Sequence, residues 1–213
     1  MTAQAARRPA GRRAYKSAAE RKAEITAATI AILAERGMAD WKTAELARRV
    51  GISEAALFRH FRNKNEILDA AVRQETRAIR RLLQEQPETG SPWDRAEGLV
   101  RTILEFFERT GGGPLVVFTG QALKASPARR KDVLGTVRLV RERLETLYAE
   151  GLGARGGEAA ATAAVLADLS IAVIQSCGLR WIVTERTFPL HRAAADMLRL
   201  LRRIGAPSRG RDT

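Results

Sequence analysis

The sequence predicts an all-α fold of about nine helices, in which a three-helix N-terminal unit precedes a larger helical part. Three observations favour this fold class: apolar residues recur at helical spacing, capping and stop signals bracket most of these segments, and no segment alternates strictly enough to be a strand. A chain of 213 residues that is 45% hydrophobic can bury one sizeable core or two smaller ones.

The first three predicted helices are one long helix followed by two short ones. "SAAE", residues 17–20, is a capping-box pattern that starts the first helix, and Gly37 stops it. Thr43 is placed to cap the second helix, Gly51 ends it, and Ser53 caps the third. Helices of about seven to nine residues are unstable alone, so both short helices must be held by packing.

Six further helices are predicted in the rest of the chain. Serine, asparagine and proline mark their starts, and proline or glycine marks most of their ends. The β-branched stretch "PLVVFTG" resembles a strand, but its helical surroundings favour a short buried helix. The predicted segments are about Asn63–Gln86, Ser91–Thr110, Leu115–Lys124, Ser126–Glu150, Ala159–Thr184 and Pro189–Ile204.

Positive charge is concentrated near the N-terminus. The chain carries a net charge of +13, and residues 1–64 hold 14 basic and 6 acidic residues, a net +8, against +5 for the other 149. Such clustering favours a nucleic-acid partner, and the alternative is a basic protein that is merely soluble. Residues 1–16 are predicted to be a flexible basic arm. Its basic side chains either enter a minor groove or belong to a solvated tail. These side chains are Arg7, Arg8, Arg12, Arg13 and Lys16.

Several other classes of protein are disfavoured. Cys177 is the only cysteine, and neither His60 nor His191 belongs to a metal-binding or catalytic pattern, so we expect no metal, no cofactor and no enzyme activity. The basic first residues lack the apolar run of a signal peptide, which predicts a cytoplasmic protein. Ala159–Leu179 is long enough to span a bilayer, but its polar residues favour a packed interface helix.

The tight turn "VGIS" between the two short helices is typical of a helix-turn-helix, whose second helix lies in the major groove. Leu57 and Phe61 are expected to face inward. The outward positions are then Glu54, Ala55, Phe58, Arg59 and Arg62. A thymine methyl group suits Ala55 or Ala56, and Arg59 suits guanine or a phosphate. Glu54 either accepts from a cytosine amine or caps its own helix.

Phosphate contacts are expected from two helix starts. Free backbone amides beside Lys42 and Thr43, and beside Lys64, are donors suited to phosphate oxygens. These contacts fix the register of the protein on the duplex without reading its sequence.

The stretch "TAELARRVGISEAALFRHFRNKNEIL", residues 43–68, resembles the TetR family of bacterial transcriptional regulators, and the resemblance extends from Ser17 to about Val72. It implies a homodimer that binds double-stranded DNA at a pseudo-palindromic operator. Phe58 replaces the tyrosine that the family usually has, which removes a hydroxyl contact to phosphate. The positions that the resemblance assigns to DNA contact are Thr43, Glu54, Ala55, Ala56, Phe58, His60 and Lys64.

The resemblance also implies that the last two helices pair with those of a second copy. These helices have more apolar residues than one buried stripe requires, which favours a partner for the excess surface. The alternative to this interface is burial of the same residues inside the monomer. The expected interface residues are Val165, Leu166, Leu169, Val173, Ile174, Leu198 and Leu201. Aromatic and apolar residues between the two regions are expected to line a pocket for an apolar effector, namely Trp93, Phe106, Phe107, Val117, Phe118 and Trp181.

We therefore divide the chain into the arm 1–16, a DNA-binding domain 17–64, a dimerisation and ligand-binding domain 65–205 and a disordered tail 206–213. The predicted function is a repressor that a small-molecule effector releases. A second resemblance, of "ERTGGGPLVVFTGQAL" and "GISEAALFRHF" to the SlmA branch of the family, implies the alternative of a nucleoid-occlusion factor that binds DNA and a filament-forming division protein.

Overall fold

The structure is a computed structural model that describes residues 16–112, 123, 125–153 and 157–205. The described residues form helices and no strand, so the prediction of an all-α fold is confirmed. Residues 1–15 of the predicted arm 1–16, the predicted tail 206–213 and nearly all of the predicted short helix 115–124 lie outside the described residues. The helices are α1 (Ala18–Arg36), α2 (Thr43–Val50), α3 (Glu54–His60), α4 (Lys64–Gln84), α5 (Pro92–Arg109), α6 (Pro127–Leu152), α7 (Glu158–Val183), α8 (Leu190–Ala193) and α9 (Ala195–Gly205).

Most helix starts have the predicted caps. The Ser17 hydroxyl accepts a hydrogen bond from the Glu20 amide in a complete capping box, and Ser53 caps α3 through the Ala56 amide. The prediction that Thr43 caps α2 is wrong: Lys42 holds the cap position without a side-chain bond, and Thr43 is the first helical residue.

The predicted last helix, Pro189–Ile204, is interrupted at Ala194. Glu108 of α5 holds the first turn, because its carboxylate accepts from the Leu190 amide at 2.5 Å and lies 2.6 Å from His191 Nδ1. The second piece ends at Gly205, where a Cβ would lie only 2.6 Å from the ring of Trp93. Two separate anchors thus fix the directions of α8 and α9.

The helices enclose two hydrophobic clusters, which define two parts of the molecule. The head is α1 to α3 with the first half of α4, and its core includes Trp41 and Leu57; the body is the remainder, with a core that includes Phe107 and Trp181. Helix α4 contributes to both parts, since Leu68 packs in the head core and Ile79 in the body core.

Two contacts of arginine side chains join the head to the body. Arg129, at the start of α6, is buried and bonds to the Asp69 carboxylate at 2.8 Å and to the Asn65 carbonyl at 3.3 Å. Arg186, which follows α7, donates to the carbonyl of Ala34 near the end of α1. A displacement of α6 or α7 would therefore be transmitted directly to α4 and α1.

Helix α7 is long and apolar enough to cross a membrane by length and composition, and a third of that stretch is buried inside the chain. It packs against α5, α6 and α9. Asp168 pairs with Arg141 of α6 at 2.6 Å, and Ser170 shares a buried 2.7 Å hydrogen bond with Tyr148. These two polar residues of α7 are thus used in packing on α6.

Candidate nucleic-acid interface

The turn between α2 and α3 is closed by a glycine and a serine. Gly51 adopts φ 71° and ψ 38°, a left-handed conformation that side-chain-bearing residues rarely adopt. The Ile52 amide then donates to the Ala47 carbonyl at 3.0 Å, which completes the C-terminus of α2. Ser53 caps the next helix within two residues, so α3 leaves the turn in a fixed direction.

Helix α3 turns its apolar side inward and a mixed face outward. Leu57 is fully buried and Phe61 is 3% exposed in the head core, as the sequence predicts. On the other side, Ala55, Phe58 and Arg59 are exposed. The other predicted contact residues of α3 are Glu54, which is exposed, and Ala56 and His60, which are half-buried. This outward surface, residues 54–60, is called the reading face below.

Thr43 and Glu54, both predicted to contact DNA, bond to each other. The Thr43 hydroxyl donates to the Glu54 carboxylate at 2.5 Å, which ties the first residue of α2 to the first residue of α3. Besides base contact and capping, the two roles considered from the sequence, Glu54 thus has a third role as the partner of Thr43. Because the hydroxyl has a single proton, Thr43 can donate to a phosphate only after this bond opens.

Lys64, the predicted phosphate contact at the start of α4, is positioned by Trp41. Its Nζ donates to the Trp41 carbonyl at 2.8 Å and lies 4.5 Å from the centroid of the Trp41 ring. The side chain nevertheless remains exposed. Lys64 thus joins the start of α4 to the start of α2, beside Lys42.

The positive charge on the head divides into paired and unpaired groups. Arg48 pairs with Glu45 at 2.8 Å and lowers the pKa of that carboxyl through its hydrogen bonds, and Arg49 does the same to Glu35 at 2.6 Å. Among the described residues, no carboxylate pairs with Lys42, Arg59 or Arg62. These three exposed cations, with Lys64, are the charges that a phosphate backbone would meet first.

Sequence reasoning missed two side chains that support this surface. Trp41 is fully buried in the head core and was not singled out, although it directly precedes the first predicted phosphate contact. Lys22 of α1 lies 5.5 Å from the ring centroid of Phe61. Neither contact follows from spacing along a helix, because each joins residues far apart in the sequence.

The predicted dimer-interface residues fall into two groups. Five of them are in the body core, each no more than 8% exposed; they are Leu166, Val173, Ile174, Leu198 and Leu201. These five residues are buried inside the monomer, which was the alternative to a dimer interface considered from the sequence. Val165 and Leu169 are 56% and 43% exposed.

Other exposed apolar residues continue the surface of Val165 and Leu169. Leu179 and Val183, which are four apart and therefore share a helix face, extend the exposed apolar line along α7. Helix α9 packs against α7 and has an exposed apolar line of its own. The whole surface, called the apolar seam, consists of Val165, Leu169, Leu179 and Val183 of α7 with Met197, Leu200 and Ile204 of α9.

The predicted pocket residues are mostly core. Trp93 packs on the backbone of Gly151, whose carbonyl accepts from its Nε1 at 3.3 Å, and Trp181 Nε1 donates to the Phe188 carbonyl at 2.8 Å. Phe106 is buried, 6.0 Å from Phe107 between ring centroids. Val117 and Phe118 lie outside the described residues.

Of the predicted pocket residues that the structure describes, Phe107 alone lines a cavity of about 70 Å³ in the body; Trp93, Phe106 and Trp181 do not. Helices α4 to α7 line this partly open body cavity. Its lining is Ile79, Ile103, Phe107, Thr136, Val137, Val140, Ile171, Ile174 and Gln175.

Comparison with known proteins agrees with this geometry. Residues 25–71 match the family model of bacterial regulatory proteins of the tetR family. The nucleoid occlusion factor SlmA of Haemophilus influenzae is 34% identical over 112 residues, covering 52% of this chain and 51% of the relative. SlmA of Aliivibrio fischeri is 31% identical over 140 residues, covering 63% and 68%. The chain thus spans about half the length of the first of these relatives.

Solved structures with the same fold are also regulators. FadR of Bacillus halodurans, a fatty acid degradation regulator, superposes with a TM-score of 0.70 at 14% identity over 88% of this chain and 96% of that one. A transcriptional regulator of Rhodococcus superposes with a TM-score of 0.69 at 21% identity, over 85% of this chain and 96% of that one. The similarity to both shows the fold.

The matched segment 25–71 contains the capped turn, the reading face and the start of α4. The relative from Aliivibrio extends the match to two thirds of its own length. The chain belongs to the tetR family of bacterial regulatory proteins.

Proposed function

We propose that this protein is a homodimeric repressor that binds a pseudo-palindromic operator and is released by a small apolar effector. The observation that carries the proposal is the coexistence of an exposed, cationic reading face on the head with an exposed apolar seam on the body. The first surface suits a duplex, and the second suits another copy of the chain. We also propose that it acts in the cytoplasm on chromosomal DNA.

At the operator, the reading face enters the major groove and the two helix starts contact phosphates. Ala55 and Phe58 offer apolar contact to bases, and Arg59 reaches a guanine or a phosphate. The first amides of α2 suit a phosphate oxygen, because Lys42 makes no side-chain capping bond that would compete for them. His60 and Lys64 contact the backbone, as does Thr43 once its bond to Glu54 opens.

Dimerisation uses the apolar seam. Seven large apolar side chains are exposed on two neighbouring helices, and exposed apolar surface of this kind marks an interface. Two-fold pairing of this surface joins four helices, and it sets two reading faces about 34–36 Å apart or at a related spacing. Lipid is a poorer partner, because Asp168 is 62% exposed on the same helix, where a bilayer would surround it.

The effector site is the body cavity. Ile79 of α4 is part of its wall, and Lys64 begins the same helix at the duplex end of the molecule. At about 70 Å³ the cavity is smaller than most ligand sites, so an effector must widen it. The widened form displaces α4, and a ligand that prefers this form lowers the DNA-competent population.

A nucleoid-occlusion factor is the second candidate function, because curated relatives 31–34% identical over half or more of their length carry that name. The segment 108–123 that suggested this function from the sequence lies largely outside the described residues. A nucleoid-occlusion factor would bind many chromosomal sites and a division protein, whereas a repressor would bind few operator sites and an effector.

Selection of bound fragments from genomic DNA by the purified protein tests the proposal. One palindrome or a few, placed at promoters, would support the repressor. Many sites dispersed over the chromosome would support the second candidate. Failure to retain any duplex at low salt would contradict both, because phosphate contacts alone give measurable binding under those conditions.

A further inference from the structure

Glu75, in the middle of α4, is a buried carboxylate with an unsatisfied atom. Among the described residues it is the only acidic residue in the buried class, with 5% of its surface exposed, and its Oε2 has no hydrogen-bond partner there. Burial raises the pKa of Glu75 to about 7, and no neighbouring charge contributes to the shift. An ionised carboxylate in such a place is costly until a cation pairs with it.

The position of Glu75 links it to the body cavity. Ile79, one helical turn further along α4 on the same face, lines that cavity, and Val72, one turn before, belongs to the head core. Side chains four apart on a helix have Cβ atoms about 5–6 Å apart. On α6, Val133 packs in the head core, whereas Thr136 and Val137 line the cavity. Glu75 is not part of the described cavity lining, but it lies one turn of α4 from Ile79, on the side that faces the head.

An apolar residue would serve packing better at this position. The stripe of α4 that faces the core has Leu68, Val72 and Ile79 on either side of Glu75. Among the described residues, the cavity wall is apolar apart from Thr136 and Gln175. A buried carboxylate one helical turn from an apolar cavity selects a ligand that reaches it by charge: a cation gains a partner, whereas an anion is repelled.

We propose that the effector is a small molecule with an apolar body and an ammonium group, which pairs with Glu75 while the body occupies the cavity. This inference rests on the proposed effector-controlled function and names the chemical class of the effector. Ion pairing with Glu75 pulls on the centre of α4, between the cavity and the helix start that carries Lys64. Ligand binding is thereby coupled to the surface that contacts phosphate.

The proposal predicts a pH dependence. Only the ionised carboxylate pairs with an ammonium group, so the ligand binds more tightly as pH rises and the apparent affinity levels off above the pKa of Glu75, about 7. Below that pKa each unit of pH weakens binding about tenfold.

Three ligands with one apolar tail test the charge preference: octylammonium, octanol and octanoate, each below its micelle concentration. Binding to the full chain is measured by calorimetry at about pH 8, for the natural protein, Glu75→Gln and the control Glu85→Gln. Glu85 is exposed at the end of the same helix, so its substitution makes the same change in charge outside the cavity. We expect octylammonium to bind about tenfold or more tightly than octanol, and Glu75→Gln, but not Glu85→Gln, to remove the difference.

Equal binding of octylammonium and octanol, tighter binding of octanoate, or no loss of preference in a folded Glu75→Gln protein would overturn the proposal. Release of DNA is measured separately by fluorescence anisotropy of a labelled duplex. Binding of octylammonium through Glu75 without release of the duplex would leave this site standing and contradict the proposed effector control.

Discussion

The head and the body follow the same packing rules but expose different surfaces. On the head, the outer side of α3 exposes small and cationic residues beside Phe58 and Glu54, and its neighbours are caps and helix starts. On the body, α7 and α9 expose the large apolar residues of the seam, with polar residues among them. This difference is the basis for the proposal that the head binds a polyanion and the body pairs with a second copy of the chain, and each surface can be altered without changing the other.

The largest effect is expected at the apolar seam. Leu169→Glu places a charge in the proposed interface twice, once from each copy, without a partner. We expect the dimer to dissociate on the order of a thousandfold more readily, as measured by sedimentation velocity. Leu134→Glu is the control, since Leu134 is an exposed leucine of α6 outside the seam. A dimer of unchanged strength in Leu169→Glu would place the interface elsewhere.

The next effect concerns the reading face. Ala55→Glu adds a bulky anion where the helix must approach the duplex, so operator affinity should fall on the order of a hundredfold or more with little change in stability. Ala160→Glu, an exposed alanine at the start of α7, makes the same change on the body. Comparable losses in both variants would mean that charge alone, rather than the docked face, sets affinity.

A third effect is a change in stability at the junction of the two parts. Burial raises the pKa of Glu75 to about 7, above the ordinary value of a glutamate, so the folded chain holds the proton more tightly than the unfolded chain. The natural protein is therefore most stable below the unfolded pKa and loses stability as pH rises through about 7.

Glu75→Gln does not titrate, so it should not show this loss. Urea unfolding at about pH 5 and about pH 8 measures the difference between the two proteins. We expect the variant to gain up to about 3 kcal/mol relative to the natural protein over that range. A difference that does not change with pH would contradict the raised pKa.

The smallest effect is expected at Lys64. Lys64→Ala removes one phosphate contact, so it should weaken binding to all duplexes and reduce the salt slope of the binding constant by about one. Lys131→Ala, an exposed lysine of α6, is the control. If the slope of Lys64→Ala stayed unchanged, the contact of Lys64 with Trp41 would be its whole role.

The fold and the local geometry of the head could be predicted because their signals are local. Ser17, Ser53 and Gly51 act on amides or dihedral angles within a few residues, and Leu57 with Phe61 lie one turn apart. The cap of α2 was missed for a related reason. The Thr43 side chain has a distant partner, Glu54, that no helix rule anticipates.

The surfaces of the body were harder to predict. An apolar helix such as α7 has residues for the body core and for the seam, and periodicity alone does not show which of Val165 and Leu166 is buried. Trp93 and Trp181 looked like pocket residues because of their size, yet close packing on Gly151 and Gly112 places them in the core. These assignments depend on neighbours that are far away in the sequence.

The most direct test of the account is the dependence of DNA affinity on half-site spacing. The selected palindrome is compared with a version lengthened at its centre by about five base pairs, half a turn of the duplex. We predict that the insertion abolishes high-affinity binding of the dimer, because the seam holds the two reading faces at one separation on one side of the duplex. An affinity unchanged by the insertion would contradict the account.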